Sequence, residues 1–146
     1  MRPDELAAFR ATFIEAWAAD LARVEDLTMD AARAQAAQRA DADLEGALES
    51  EHHHLFVVTT TDETVGTLWF SVREGRAFVE DITIAEPHRG HGYGRRALDL
   101  MHEVLQRMGV RVVQLNVYAH NPRARALYER VGYEVTGFTM TMRLRG

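Results

Sequence analysis

Two helical segments precede every β-like segment of the chain. Apolar residues from Leu6 to Leu21 recur at spacings of three and four, which predicts an amphipathic helix over about residues 4–23. Residues 31–48 are rich in Ala, Gln, Arg and Glu but poor in large apolar residues. Helix propensity is therefore high there, while burial should be slight. We expect this second helix to lie over the surface, where it could move.

From Leu55 the pattern changes to short β-branched and aromatic runs. Runs at 55–58, 65–72 and 77–84 are separated by polar turns at 61–63 and 73–75, which predicts an antiparallel meander of three strands. A helix over 93–108 should follow and end at Gly109. Its expected core stripe consists of Leu98, Met101, Val104, Leu105 and Met108.

The remainder of the chain alternates once more between strand and helix. Residues 112–118 read as a strand, and Asn121-Pro122 opens a short helix that Gly132 ends, because Asn suits a helix cap and Pro suits the first turn. Residues 133–135 and 138–144 are expected to be closing strands. Helices and strands are therefore mixed, with one strand-helix-strand crossover.

Composition narrows the class of protein. With 146 residues, 47% hydrophobic and 27% charged, the chain suits one domain over residues 1–146 with its own core. No apolar run approaches the roughly 18 residues of a membrane span, and the first residues lack a signal-peptide core, so we expect a cytoplasmic protein without membrane contact. The absence of cysteine excludes disulfides and thiolate chemistry. A net charge of −5 disfavours nucleic-acid binding and suits a cationic partner.

A glycine-rich turn is the strongest local motif. Arg89-Gly90-His91-Gly92-Tyr93-Gly94-Arg95 lies between a predicted strand and a predicted helix, where backbone N–H groups and the helix dipole form an anion site. The spacing fits neither the dinucleotide fingerprint nor the Walker loop. Standing alone, the turn would favour a tight helix entry only.

The order of motifs resembles the GNAT superfamily of N-acetyltransferases. The three-strand meander is followed by Arg89-x-x-Gly92-x-Gly94, a helix, a strand, Asn121 and the run Ala126-Leu127-Tyr128-Glu129-Arg130-Val131-Gly132-Tyr133. The resemblance covers about residues 55–144. It implies a mixed α/β (α+β) GNAT fold, in which a central, mostly antiparallel twisted sheet is flanked by about four helices. It also implies acetyl-CoA as cosubstrate and an amine as acceptor, in a monomer or homodimer.

The resemblance further implies which residues hold coenzyme A. The glycine turn would cradle the pyrophosphate with backbone amides, and Asn121 would lie near the pantetheine arm, although a role as helix cap alone is equally open. Asn116 is a weaker candidate. For Arg89 the alternative is a hydrogen bond that shapes the turn, and for Arg95 and Arg96 it is simple solvation. The implied set is Ile82, Thr83, Ile84, Arg89, Gly90, His91, Gly92, Tyr93, Gly94, Arg95 and Asn121.

Acyl transfer to an amine needs a base, because an amine of pKa ~10.4 is neutral in only about one molecule in a thousand at pH 7. Glu80 and Asp81 lie on the strand that leads into the glycine turn, and alternation should send their side chains to opposite faces. The resemblance selects Glu80, which would act through a water or with a raised pKa. Asp81 is the reserve candidate, and a structural ion pair is the alternative for Glu80.

Tyr128 is the candidate acid. By spacing alone it is a core aromatic, since it shares a helix face with Ala124, Leu127 and Val131. The resemblance instead places its hydroxyl beside the thioester, where an acid of pKa ~10 can protonate a leaving thiolate whose acid has pKa ~8.5.

The run His52-His53-His54 is interpreted as a polar loop, and no metal site is expected, because consecutive strand residues point to alternate faces.

Two alternatives to an enzyme stay open: a non-catalytic acyl-CoA-binding or regulatory module, and an interaction subunit that uses its Ala-rich helix.

Overall fold

The computed structural model describes residues 1–144, and in that range it contains four α-helices, one short 3-10 helix (Glu86–His88) and four strands. The helices are α1 (Pro3–Glu25), α2 (Met29–Leu44), α3 (Tyr93–Arg107) and α4 (Pro122–Val131). The strands are β1 (His53–Thr59), β2 (Thr64–Arg73), β3 (Arg76–Ile84) and β4 (Val112–Leu115). This mixed order confirms the predicted fold class. The chain divides into two compact units, one of residues 46–127 with Met1 and one of residues 2–45 with those from 128 onward.

The first unit is built on a single sheet with the order β1-β2-β3-β4. Strands β1, β2 and β3 form the predicted antiparallel meander. Strand β4 runs parallel to β3, as expected when a helix, here α3, carries the chain back across the sheet. The core holds Val65, Trp69 and Phe70, each 1% exposed. The buried stripe of α3 adds Ala97, Leu98, Met101 and Leu105.

Two details of α3 and β4 differ from prediction. Val104 and Met108 were expected in the core but are 39% and 45% exposed, because Val104 lies at the edge of the buried stripe and Met108 follows the last helical residue. Strand β4 ends at Leu115 instead of residue 118. Its last partner in β3 is Val79, beyond which β3 departs from regular pairing with β2.

In the second unit, α1 and α2 pack against each other. Large residues of α1 are buried, among them Phe9, Ile14 and Leu21. Most of α2 is exposed, as expected for a helix at the surface, but one stripe of the helix is fully buried. Its buried residues are Ala32, Ala36, Ala40 and Leu44, and a stripe of small side chains spaced by four allows a close helix contact that large apolar residues are not needed to make.

Polar contacts reinforce this helix pair. Arg10 forms an ion pair with Asp41 at 2.7 Å, and Arg33 forms one with Glu15 at 2.9 Å. Exposed pairs of this kind contribute little each, roughly 0–1 kcal/mol, so they align the helices more than they hold them together.

The predicted closing strands are not formed. Residues 133–144 belong to no helix or strand, and Phe138 and Met140 are 81% and 92% exposed. Alternating apolar residues indicate strand propensity, but a strand forms only when a neighbour supplies its hydrogen bonds. None of the helices within residues 1–144 is both long and apolar enough to cross a membrane.

Candidate active site

The glycine turn opens α3 with a set of backbone N–H groups. Gly92 is the N-cap residue, with φ 80° and ψ 8°, and no side chain caps the helix. The first intrahelical hydrogen bond runs from the amide of Arg96 to the carbonyl of Gly92. The amides of Tyr93, Gly94 and Arg95 come before it, in the first turn, where backbone amides have no acceptor within the helix. Amides in this position at the positive end of a helix form an anion site.

The left-handed backbone explains two of the three glycines. Gly90 and Gly92 have φ 79° and 80°, which is strained for residues with a Cβ. Gly94 has ordinary φ, but a Cβ there would lie 3.6 Å from Leu127 and 3.7 Å from Ile84. The end of β3, the start of α3 and α4 therefore converge around Gly94, and a glycine there leaves the backbone accessible.

Charged side chains around the turn have partners within the chain. The Arg89 Nε donates a hydrogen bond of 2.8 Å to the Ile84 carbonyl, which is the turn-shaping bond considered as the alternative role for this residue. Arg95 pairs with Asp99 at 3.6 Å, one helical turn away. His91 Nδ1 lies 3.1 Å from the His88 carbonyl oxygen, and its ring stacks on Tyr93. These contacts hold the turn in shape.

A β-bulge places both candidate carboxylates on one face of the sheet. Asp81 is the cross-strand partner of Trp69, and Val79 is the partner of the next residue, Phe70, so Glu80 is the extra residue of the bulge. Cross-strand partners share a face, and so do residues two apart on a regular strand. Asp81 therefore lies on the Trp69 face, and so does Glu80, whose Oε1 accepts a 2.9 Å hydrogen bond from the hydroxyl of Ser71. The expectation of opposite faces is wrong.

Asp81 is held in a poorly solvated setting. Burial raises the pKa of its carboxyl to about 6 from 3.8, even though the Thr83 hydroxyl donates a 3.0 Å hydrogen bond to Oδ2 that acts in the opposite direction. A carboxyl with a pKa near neutrality can accept and release protons at physiological pH. Glu80 and Asp81 together form a carboxylate pair on β3.

Asn121 caps α4, and Tyr128 lies on it. The Asn121 Oδ1 accepts a 3.2 Å hydrogen bond from the amide of Ala124, so the predicted cap is present. Tyr128 is half-buried, and its ring meets the Tyr133 ring edge-on with 5.9 Å between centroids. The pKa of Tyr133 is raised to about 12, mainly by burial and further by the electrostatic effect of Tyr128. The first unit contains the predicted residues from Glu80 to Asn121, and the second contains Tyr128.

The histidine run is not the polar loop expected from sequence. His53 and His54 begin β1. The indole Nε1 of Trp69 donates a 3.0 Å hydrogen bond to His53 Nδ1, and the His54 ring stacks on Phe70 at 5.0 Å. Burial lowers the pKa of His54. Imidazole here serves as a packed polar aromatic beside the core.

Sequence reasoning missed two residues of β2 that contact β3. Ser71 is 9% exposed and orients Glu80, a role visible only once strand register is known. Gly66 has no room for a side chain, because a Cβ would collide with the Thr83 carbonyl oxygen and the Ile84 side chain. A glycine inside an apolar strand run was the available signal for such a close approach.

Comparison with known proteins identifies the family. The pattern of the acetyltransferase (GNAT) family matches residues 16–133, so this chain belongs to that family. It is 37% identical over 102 residues to the uncharacterized N-acetyltransferase YycN of Bacillus subtilis, a match that covers 66% of this chain and 65% of that protein. The match thus spans just under two thirds of that relative's length.

Solved structures agree with the assignment. The crystal structure of YycN superimposes with a TM-score of 0.91 at 29% identity, covering all of this chain and 96% of that one. The ribosomal-protein-S18-alanine N-acetyltransferase of Escherichia coli gives a TM-score of 0.58 at 26% identity, over 64% of this chain and 61% of that one. PaiA N-acetyltransferase of Thermoplasma acidophilum, solved with coenzyme A, gives 0.76 at 10% identity, over 95% and 89%, which shows the shared fold.

Proposed function

We propose that this chain transfers the acetyl group of acetyl-CoA to a primary amine by direct attack in a ternary complex. The observation that carries the proposal is the uncapped start of α3, where Gly92 is left-handed and three amides precede the first helical bond. Because the chain belongs to the acetyltransferase family, we infer that the anion bound here is coenzyme A. A protein of the same fold has been solved with coenzyme A bound.

The glycine turn fits the pyrophosphate of such a cosubstrate. A Cβ on Gly92 would meet no atom within 4 Å, so the space beside this residue is open to an approaching ligand. Amides of residues 91–95 would bind the pyrophosphate, with Arg95 and Arg96 adding positive charge. The backbone of Ile82, Thr83 and Ile84 and the side chain of Asn121 complete the proposed coenzyme A contacts.

Glu80 is the proposed base. The amine nitrogen attacks the thioester carbonyl, the carbon–sulfur bond breaks, and the proton lost by nitrogen must pass to a carboxylate, directly or through a water. Ser71 fixes one oxygen of Glu80, which orients the group for this task. Asp81, with a pKa of about 6 on the same face, is the alternative base, and the pair together provides the negative surface that a cationic amine prefers.

Tyr128 is the proposed acid for the departing thiolate. Burial raises the pKa of its neighbour Tyr133 to about 12. This value is further from the thiol pKa of ~8.5 than that of an ordinary tyrosine, so Tyr133 is the poorer proton donor.

The acceptor is left open among several classes of primary amine: amino acids, polyamines, antibiotic amines, lysines and protein N-termini. The ribosomal relative, by its name an alanine N-acetyltransferase, makes peptide N-termini one arm of the test.

Release of free thiol from acetyl-CoA, measured against a panel of these amines, tests the proposal. We expect thiol release that depends on one amine class and falls in Glu80→Gln. Tight binding of coenzyme A with no turnover for any amine would favour a non-catalytic acyl-CoA-binding module instead.

A further inference from the structure

Arg123 lies at the start of α4 and reaches the glycine turn. A Cβ added to Gly90 would lie 3.9 Å from Nη2 of Arg123, so the guanidinium group stands beside the backbone that opens the turn. Arg123 is exposed, and within residues 1–144 its side chain makes no hydrogen bond or ion pair. Arg95, in contrast, pairs with Asp99 at 3.6 Å. Arg123 therefore presents its N–H donors to the space beside the turn.

The charge pattern around the turn is the reverse of the usual one. Acidic side chains are favoured in the first turn of a helix, and cations there oppose the helix dipole. Neither α3 nor α4 has an acidic residue in its first turn. The stretches 87–98 and 116–127 contain five arginines and no Asp or Glu, although the whole chain has 22 acidic residues and 17 basic ones. Two converging helix starts with this pattern fit a ligand that carries several negative charges.

The starts of α3 and α4 offer this ligand different kinds of donor. The pyrophosphate site proposed above uses main-chain amides that follow Gly92. Arg123 stands instead beside Gly90, earlier in the turn, with a planar fork of N–H groups. Such a fork matches a terminal phosphate, whose oxygens accept paired hydrogen bonds. Besides its pyrophosphate, coenzyme A carries one terminal phosphate, on the 3′ oxygen of its ribose.

We infer that Arg123 binds the 3′-phosphate of coenzyme A, and that the chain thereby selects coenzyme A over the form that lacks this phosphate. The inference rests on the proposed use of coenzyme A by this chain. The ribose separates the 3′-phosphate from the pyrophosphate, just as the contact of Arg123 with Gly90 is separated from the amides after Gly92. A phosphate monoester carries about −1.5 to −2 charges at pH 7, and a guanidinium group stays protonated, so the contact is charge-assisted.

Calorimetry with coenzyme A, 3′-dephospho-coenzyme A and pantetheine tests the inference. Arg123→Gln removes the charge beside the turn. Arg107→Gln removes an equal charge from an exposed side chain at the other end of α3 and is the matched control. Arg123→Gln should bind coenzyme A about tenfold more weakly than the parent and should bind the other two ligands as the parent does. Arg107→Gln should bind all three ligands like the parent.

Two further measurements identify the contact as a guanidinium–phosphate pair. Arg123→Lys keeps the charge but loses the planar fork, so it should recover only part of the affinity for coenzyme A. The difference between the parent and Arg123→Gln should shrink as the salt concentration rises, because both groups are open to solvent.

The three ligands also separate the outcomes. An equal loss for coenzyme A and its dephospho form would place Arg123 on the pyrophosphate, and an unchanged affinity for coenzyme A would make it a solvated side chain. Either result would overturn the inference and leave the proposed function standing. A parent chain that binds no coenzyme A would refute the proposed function and the inference together.

Discussion

Replacing Gly92 with valine separates the proposed pyrophosphate role of this residue from its role in the turn. Gly92 has φ 80°, and a β-branched residue in the left-handed region costs roughly 1–3 kcal/mol. A Cβ there meets no atom within 4 Å, so the new side chain does not collide with the protein. It would project into the open space at the start of α3, where we propose that the phosphate approaches.

Gly109 supplies a matched control at the other end of α3. Its φ is 78°, and a Cβ there likewise meets no atom within 4 Å, so Gly109→Val imposes similar strain without touching the turn. Both variants should lose comparable stability, about 2–4 °C in Tm for each kcal/mol in a chain of this size. Any difference in ligand binding between them then reports on position and not on strain.

The expected loss in affinity follows from the bonds at stake. Displacing a phosphate from one charge-assisted amide bond costs about 1.5–3 kcal/mol, and each 1.4 kcal/mol is a factor of about ten in Kd. Calorimetry should therefore show coenzyme A binding to Gly92→Val about 10- to 100-fold more weakly, with Gly109→Val near the parent. The pantetheine fragment, which has no pyrophosphate, should bind all three proteins alike. Equal losses for both ligands, or no loss, would refute the assignment.

Three further substitutions test the chemistry. Glu80→Gln should lower turnover far more at about pH 7 than at about pH 9.5, because the free amine increases about tenfold per pH unit; a deficit constant with pH would indicate a structural role. Tyr128→Phe should lose about 10²-fold in turnover with unchanged coenzyme A affinity, and full turnover with chemistry rate-limiting would make this residue a core aromatic. The folded-state pKa of Asp81, about 6, exceeds 3.8, so its ionisation weakens the fold as pH rises from about 4 to 6. Urea unfolding should find Asp81→Asn more stable than the parent by up to ~3 kcal/mol at about pH 7.5 and by well under 1 kcal/mol at about pH 4, and a gap independent of pH would contradict the buried-carboxyl account.

Local patterns were sufficient for the parts of the fold that position the turn. The meander, the start of α3 at Tyr93 and the cap by Asn121 all follow from signals within a few residues of each other. The glycine turn was predicted in the same way, although the left-handed backbone of the glycines at 90 and 92 is known only from the structure. These are the features on which the family resemblance also rested.

Features that depend on distant pairing were not readable from sequence. The bulge at Glu80 depends on how β3 aligns with Trp69 and Phe70, and a shift of one residue reverses which face a side chain occupies. Burial of α2 depends on what meets its alanines, and composition alone does not reveal that. Whether residues 138–144 form a strand depends on a partner, so periodicity predicted the propensity but not the pairing.

Transfer of an isotopically labelled acetyl group from acetyl-CoA to an amine, followed by mass spectrometry, tests the central claim most directly. The proposed function predicts one labelled N-acetyl product for each thiol released, dependent on the amine, and a sharp fall for Glu80→Gln at about pH 7 that raising the pH restores. Labelled acetate formed without an acceptor, or bound coenzyme A with no labelled amine from any class of acceptor, would contradict it.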